Sequence, residues 1–348
     1  MSRDLLEALL RGEDLSPANV RRLVAALVDP SVPDVERAAL LVALRAKGET
    51  AREIASFAQA LRARAASFPG PRRAGAVDLC GSGGAVRPSF NVGTVGAFIV
   101  RAAGVPVAKH GNRSARGATG GWAGSSDLLE ALGLPFLTSR QYAEACFREE
   151  GITFLHAPLY PPATRAVVPV RRSLGVATVF NWIGPLTNPA GVRYQLVGCP
   201  NRAVAQQLAR VLPLLGVLRG ATVAGSDGSD ELSPTHLSHL TLVDHGRRST
   251  RTVDPRLLLD AEDRRGPWGP LPPAQAAEET QRILAGGGGA RRGSVLLTSG
   301  AALWVRGSVP TLAGGVERAT DALDSGKAET VLERLRTLAG SRRWEVAS

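Results

Sequence analysis

The chain of 348 residues is poor in several residue types, and each shortage excludes something. It has 3 cysteines, Cys80, Cys146 and Cys199, far apart and without metal-ligand spacing. Neither a disulfide framework nor a cysteine metal site is expected, and a reducing cytoplasm fits this usage. No apolar run reaches the length of a membrane span, so no membrane partner is expected. The opening MSRDLLEALLRGEDLS carries acids among its leucines and lacks a small-residue cleavage site, so it does not read as a signal peptide. Acids are outnumbered, 31 against 42 basic residues, for a net charge of +11. Those basic residues are mostly arginine, spread over a chain rich in Ala, Gly and Pro. Aromatics are only 5% and never interleave with a Lys/Arg block. That pattern is compositional bias, and nucleic acid is not the expected partner.

What is present is an ordinary globular composition, 44% hydrophobic and 21% charged, in a chain long enough for a sizeable core. Residues 2–66 read as four short helices. Leu5, Leu6, Leu9 and Leu10 form one apolar stripe. Ser16-Pro17 caps and opens the second helix, Pro33-Asp34 opens a third that stops at Gly48, and Thr50 with Glu53 makes a capping box for a fourth. After Phe68-Pro69-Gly70-Pro71 the period changes. AVDLC, VPVAKH, ITFLHAP, QLVGCP, ATVAGSDG, LTLVDH and SVLLTSG read as strands. NVGTVGAFIVRAAG, SSDLLEALG (capped by Ser125 or Ser126), SRQYAEACFREEG and AVAQQLARVLPLLG read as helices. AGGGGARRG (285–293) reads as a surface loop. Strands alternating with helices imply an α/β domain with a mostly parallel central sheet.

Four segments carry candidate chemistry. Gly81-Ser82-Gly83-Gly84 follows a strand and precedes a helix, where backbone N–H groups can meet phosphate oxygens; a plain tight turn is the bland alternative. Lys109-His110-Gly111-Asn112-Arg113 ends the next strand, and open α/β sheets bind ligands at such ends. Lys109 offers a point charge and Asn112 a donor and an acceptor. In GSDGSDELS (225–233), Asp227, Asp230 and Glu231 cluster as hard oxygen ligands of the kind Mg²⁺ takes beside substrate phosphates, although alone they read equally as an acidic turn. PPATRAVVPVRRSLG places Arg165, Arg171 and Arg172 on one helical stretch, where an arginine fork can hold a carboxylate or simply face solvent. Together the four ask for a phosphorylated ligand, a divalent cation and a second ligand with a carboxylate.

Strung in this order, DLCGSGG, FNVGT, AGVPVAKHGNR, DLLEALG, FLHAPLYPPATRAVVPVRRSLGVATVFNWIGPLTNPAG and DGSDELS make the chain resemble the anthranilate phosphoribosyltransferase family over nearly its whole length. The resemblance implies the nucleoside phosphorylase/phosphoribosyltransferase type of fold. A small all-helical domain, 1–68, is completed by about 162–184; a larger α/β domain takes 69–161 and 185–348. It implies a homodimer through the helical domain and the second step of tryptophan biosynthesis from chorismate. In that step phosphoribosyl pyrophosphate and anthranilate are joined with release of pyrophosphate, with Mg²⁺ as cofactor. Carried over residue by residue, Gly81, Ser82, Gly83, Gly84, Asn91, Thr94 and Lys109 would bind phosphoribosyl pyrophosphate. His110, Asn112 and Arg171 would bind anthranilate, and Asp230 and Glu231 the metal. Departures from the family pattern fall mostly on the donor side. Ala85 stands where an acid is expected, Gly93 where a serine is, Pro161 where a histidine is, and Ser299-Gly300-Ala301 where N-A-A is. The loop after KHGNR is lengthened and holds Trp122. Ser114, Thr119, Ser125 and Ser126 are the hydroxyls within reach to replace the one missing at Gly93, and Arg87 and Arg116 are extra cations nearby. A different acceptor on the same fold, for a transferase or a phosphorylase, is the alternative these changes leave open. A non-catalytic nucleic-acid-binding paralogue is the contrasting one.

Overall fold

A computed structural model describes residues 3–68, 70–81, 86–113, 121–160, 165–341 and 343–344. The N-terminal helices are α1 (Arg3–Leu10), α2 (Pro17–Val28), α3 (Asp34–Lys47) and α4 (Ala51–Arg62). Their starts follow from the capping chemistry read in the sequence. Ser16 accepts from the Asn19 N–H, and Thr50 and Glu53 satisfy each other's backbone donors. Of the first leucine stripe, Leu5 and Leu9 are buried whereas Leu10 is 68% exposed, because a helix of this length turns only one narrow face to its neighbours. Leu23, Leu27, Leu40, Ile54 and Phe57 from these helices pack with Val170, Phe180 and Ile183 from the later segment and with Leu208 and Leu212 in one apolar cluster.

The remaining chain builds one seven-stranded sheet in the order β3-β2-β1-β4-β5-β6-β7. Its strands are β1 (Val77–Gly81), β2 (Val107–Gly111), β3 (Ile152–His156), β4 (Tyr194–Gly198), β5 (Arg219–Gly225), β6 (Ser238–Asp244) and β7 (Arg247–Val253). Before and between them run α5 (Gly70–Ala74), α6 (Val92–Ala102), α7 (Ser125–Ala131), α8 (Arg140–Glu150), α9 (Val168–Leu174), α10 (Phe180–Ile183) and α11 (Arg202–Leu214). After the sheet come α12 (Pro273–Leu284), α13 (Ala290–Arg306), α14 (Leu312–Asp324) and α15 (Lys327–Gly340). The five strands from β3 to β5 are parallel, and β6 and β7 run antiparallel at the edge. This is the mostly parallel sheet expected. From β1 the chain winds outward to β2 and β3, then returns to β4 on the other side. The switch in direction therefore lies between β1 and β4, and a crevice opens at their carboxyl ends.

Two expectations are corrected. SVLLTSG is not a strand; it lies inside α13, and every residue from Gly293 to Val305 is buried. A short apolar run with no polar face has no period, so sequence alone does not separate a buried helix from a buried strand. The same helix begins at Ala290, inside the stretch read as a loop. Strand β7, RRSTRTV, is exposed at all but its last residue and offers no apolar alternation to detect. Its pairing is fixed instead by a tight His245-Gly246 turn, both residues at positive φ.

Helix α13 packs against α14 through glycines. A Cβ on Gly300 would fall 2.6 Å from the Val316 nitrogen, and one on Gly315 would strike the Gly300 carbonyl. Gly300→Ala should therefore cost about 1–3 kcal/mol through overpacking, read as a lower urea midpoint with unchanged slope.

Candidate active site

The site is built at the crevice where β1 and β4 end. Gly81 closes β1 and Gly198 closes β4, paired directly across the ladder. A Cβ on Gly81 would lie 3.0 Å from Asp230 Oδ2 and 3.9 Å from Glu231 Oε1. A Cβ on Gly198 would overlap the Asp230 carbonyl. The two glycines let the loop after β5 fold over the strand ends and bring both carboxylates onto them. Asp227, the third acid of that loop, turns away. Its oxygens accept from Ser229 and Ser233 hydroxyls, and it sits 3.7 Å from Arg87, so it braces the loop.

Lys109 reaches the same place from β2. It is 5% exposed, and its Cε lies 3.5 Å from where a Cβ of Gly93 would stand, in the first turn of α6. Lys109 also lowers the cost of charge on Glu231. Even so, burial and then the Asp230 charge push the Glu231 carboxyl up to about 8, while Thr298 donates to it at 3.5 Å. Beside Glu231 lies a cavity of about 10 Å³, lined by Leu79, Gly93, Gly198 and Thr298. Among the described residues no group of three or more His, Cys, Asp or Glu forms a metal cage. Two adjacent carboxylates, one driven toward protonation, still fit a divalent cation of the kind that completes its shell with phosphates and water.

Thr94 is buried, and its hydroxyl lies 2.8 Å from that of Ser125. The Asn91 amide donates to the Ala123 carbonyl at 2.9 Å, so it holds the 121–124 segment. That segment is pinned in turn by Leu271, which accepts from the Ala123 N–H. Helix α7 is capped by Gly124, and the Asp127 carboxylate accepts from the Gly124 N–H. Neither Ser125 nor Ser126 is the cap, because both hydroxyls are drawn to side chains of other elements. Arg113 is engaged by Asp127 and Glu130 at 2.8 and 2.9 Å.

His110 faces the opposite side of the sheet, hydrogen-bonded to the Gly184 backbone. Burial, then Lys109, holds its pKa down to about 4, so the imidazole is neutral. The Asn112 side chain is exposed and accepts from the Arg113 N–H at 2.8 Å. Arg171, on α9, is half-buried 5.3 Å over the Phe180 ring. Burial lowers its pKa, and among the described residues no carboxylate pairs with it. The structure thus gathers Gly81, Lys109, Thr94, Asp230 and Glu231 at one crevice, while Arg171 stands apart on the helical side. Ser82, Gly83, Gly84, Ala85, Ser114, Arg116, Thr119 and Pro161 lie outside the described residues. Sequence reasoning missed His156, whose ring meets the Ser126 hydroxyl at 2.8 Å. Its only signal was its place at a strand end.

The Glu231 charge makes stability depend on pH. Its folded pKa of about 8 exceeds its ordinary 4.5, so between those values the folded state binds more protons and stability falls as pH rises. Glu231→Gln removes that titration. The stability of the variant relative to the parent, from urea midpoints without added metal, should rise steadily across that interval and be flat below it.

Family models match in two parts. The helical bundle domain of the glycosyl transferase family matches residues 3–65, and its a/b domain matches residues 73–329. An anthranilate phosphoribosyltransferase of Methylobacterium radiotolerans is 42% identical over 337 residues, covering 96% of this chain and 95% of that one. The crystal structure of the anthranilate phosphoribosyltransferase from Thermus thermophilus superposes with a TM-score of 0.85 at 35% identity, over 96% of this chain and 98% of that one. The Saccharomyces cerevisiae enzyme in complex with PRPP and Mg shares the fold, with a TM-score of 0.82 at 22% identity over 97% of both chains.

Proposed function

The chain belongs to the anthranilate phosphoribosyltransferase family, and from that premise we propose that it transfers the phosphoribosyl group of phosphoribosyl pyrophosphate to the amino group of anthranilate. The observation that supports this most is the convergence of Lys109, Asp230 and Glu231 on the glycine ends of β1 and β4. The donor pyrophosphate lies there, against the glycine end of β1 at Gly81, the Ser82-Gly83-Gly84 stretch that follows it in sequence, and the start of α6 with Asn91 and Thr94. Asp230 and Glu231 would hold Mg²⁺, which when bound would supply positive charge to the leaving pyrophosphate. Lys109 adds a second positive charge in a place nearly closed to water, where it acts with little screening.

Anthranilate enters from the helical side. Arg171 takes its carboxylate by a two-point fork, which a half-buried guanidinium with no acid partner among the described residues is prepared to do. His110 and Asn112 line the same side, and the neutral imidazole avoids placing a further cation beside the ribose as positive charge develops there. An aromatic amine already carries a free lone pair at neutral pH, so the protein's main contribution is alignment and charge stabilisation. The helical unit, 1–68 with about 162–184, works as one domain against 69–161 and 185–348, and the chain acts as a cytoplasmic homodimer through that unit. Among the described residues no helix is long and apolar enough to cross a membrane.

The direct test is loss of anthranilate fluorescence on mixing protein, phosphoribosyl pyrophosphate and Mg²⁺. Turnover that stops with EDTA is expected; folded protein that binds the donor but leaves anthranilate untouched would point to another acceptor. Arg171→Ala should raise the KM for anthranilate about tenfold to a hundredfold, the worth of a hydrogen bond to a charged group, and leave the KM for the donor nearly unchanged. Equal effects on both substrates would remove Arg171 from the carboxylate. Asp230→Asn combined with Glu231→Gln should abolish turnover and the protein's Mg²⁺ response together.

A further inference from the structure

His156 is a buried imidazole that takes no part in the chemistry described so far. It ends β3 in direct register with Gly111 of β2. Two residues back on each strand, Lys109 pairs with Phe154, so His156 lies on the Lys109 face of the sheet. It is 8% exposed, and its Nδ1 stands 2.8 Å from Ser126 Oγ, itself 2% exposed. Burial is the main reason its pKa falls to about 4, so the bond is one between neutral groups. The Ser126 N–H also donates to the Asn112 carbonyl. Ser126 is therefore tied to the ends of two neighbouring strands.

Ser125 inherits its position from this tie. Its Oγ lies 2.8 Å from Thr94 Oγ1 and 3.0 Å from the point where a Cβ of Gly111 would stand; Lys109 Nζ lies 3.8 Å from that same point. A hydroxyl and an ammonium thus flank a strand-end glycine, and a second hydroxyl, that of Thr94, meets the first beside Gly93, which brings no side chain of its own. Neutral donors beside a lysine suit the oxygens of a phosphate.

We propose that His156 is a positioning residue for the phosphoribosyl donor. By holding Ser126 at the end of β3 it sets Ser125 against Thr94, so that both hydroxyls and Lys109 face one phosphate group where Gly93 supplies no hydroxyl. This rests on the donor assignment made above, not on the acceptor. His156 does not touch the donor; it acts through the serine pair.

The test is calorimetric titration of phosphoribosyl pyrophosphate, with Mg²⁺ and without anthranilate, into the parent protein, His156→Ala, Ser126→Ala, the double variant and His156→Asn. Steady-state kinetics accompany it. Each alanine change should weaken donor binding and raise donor KM about tenfold, the worth of one hydrogen bond, with kcat and anthranilate KM nearly unchanged. The double variant should be no worse than either single one, since both remove the same bond. His156→Asn, which keeps a polar atom where Nδ1 stood, should recover part of the loss. Unchanged donor affinity, additive losses or an equal rise in anthranilate KM would overturn the proposal. Ser126→Ala removes a single oxygen, so it keeps the test decisive if His156→Ala fails to fold. A parent protein that binds the donor without consuming anthranilate sinks only the acceptor, and the titrations still decide on His156. A parent that binds no donor overturns both.

Discussion

Asp78 sits near the start of the interior strand β1 with none of its surface exposed, and three donors converge on it. The Asn188 amide reaches one oxygen at 2.8 Å and the Gln195 amide the same oxygen at 3.2 Å, while the His110 N–H donates to the other at 3.1 Å. Asn188 also donates to the Ala108 carbonyl, and Gln195 to that of Pro185. One carboxylate therefore joins β1, the end of β2, the start of β4 and the two-proline loop that leads out of the helical segment. Burial raises its pKa to about 6, the expected cost of a carboxylate with no ion-pair partner in contact among the described residues. Such a group is tolerated because both its oxygens accept hydrogen bonds, and removing a donor would leave a buried carboxylate oxygen under-paired.

That anchor fixes where the strand ends lie, and the strand ends carry the chemistry. Glycine at Gly81 and Gly198 is a requirement of space. The loop after β5 folds so close to them that any side chain would displace Asp230. The same closeness puts two carboxylates together beside a buried lysine. Charge there is unbalanced in the ligand-free protein, with Glu231 driven up to about 8. A cation held there beside an anionic ligand would relieve that imbalance, so groups that cost stability in the free protein would favour the bound state.

The departures from the family pattern acquire a physical reading at the same place. Gly93 has no room for more than hydrogen: a Cβ there would stand 2.9 Å from the Leu79 carbonyl unless the backbone shifted. The Ser125 hydroxyl meets that of Thr94, the residue after Gly93, from another helix, and the adjacent Ser126 is bonded to His156. Arg87 does not add a free cation, being committed to Asp227 and stacked 5.9 Å from the Trp268 ring.

Much of the fold was legible in the chain itself. Caps at Ser16 and Thr50, a stop at Gly48, and apolar runs such as AVDLC and VPVAKH are local signals, set by backbone hydrogen bonding and burial within a few residues. They were enough for the helical unit, the parallel sheet and the strand-end position of Lys109. Asp230 and Glu231 were separable from Asp227 only by the family motif, since all three look alike along the chain. Other features depend on distant segments meeting. Helix α13 was mistaken in part for a strand because its burial on every side comes from neighbours. The Asp78 network spans separations of 32 to 117 residues, and the Ser126–His156 bond one of 30. The sequence by itself determined which residues carry charge, which turns admit a backbone and which surfaces are apolar. Tertiary structure alone decided which carboxylate faces which glycine and which histidine holds which serine, because such contacts depend on strand order and close packing, which no local pattern records.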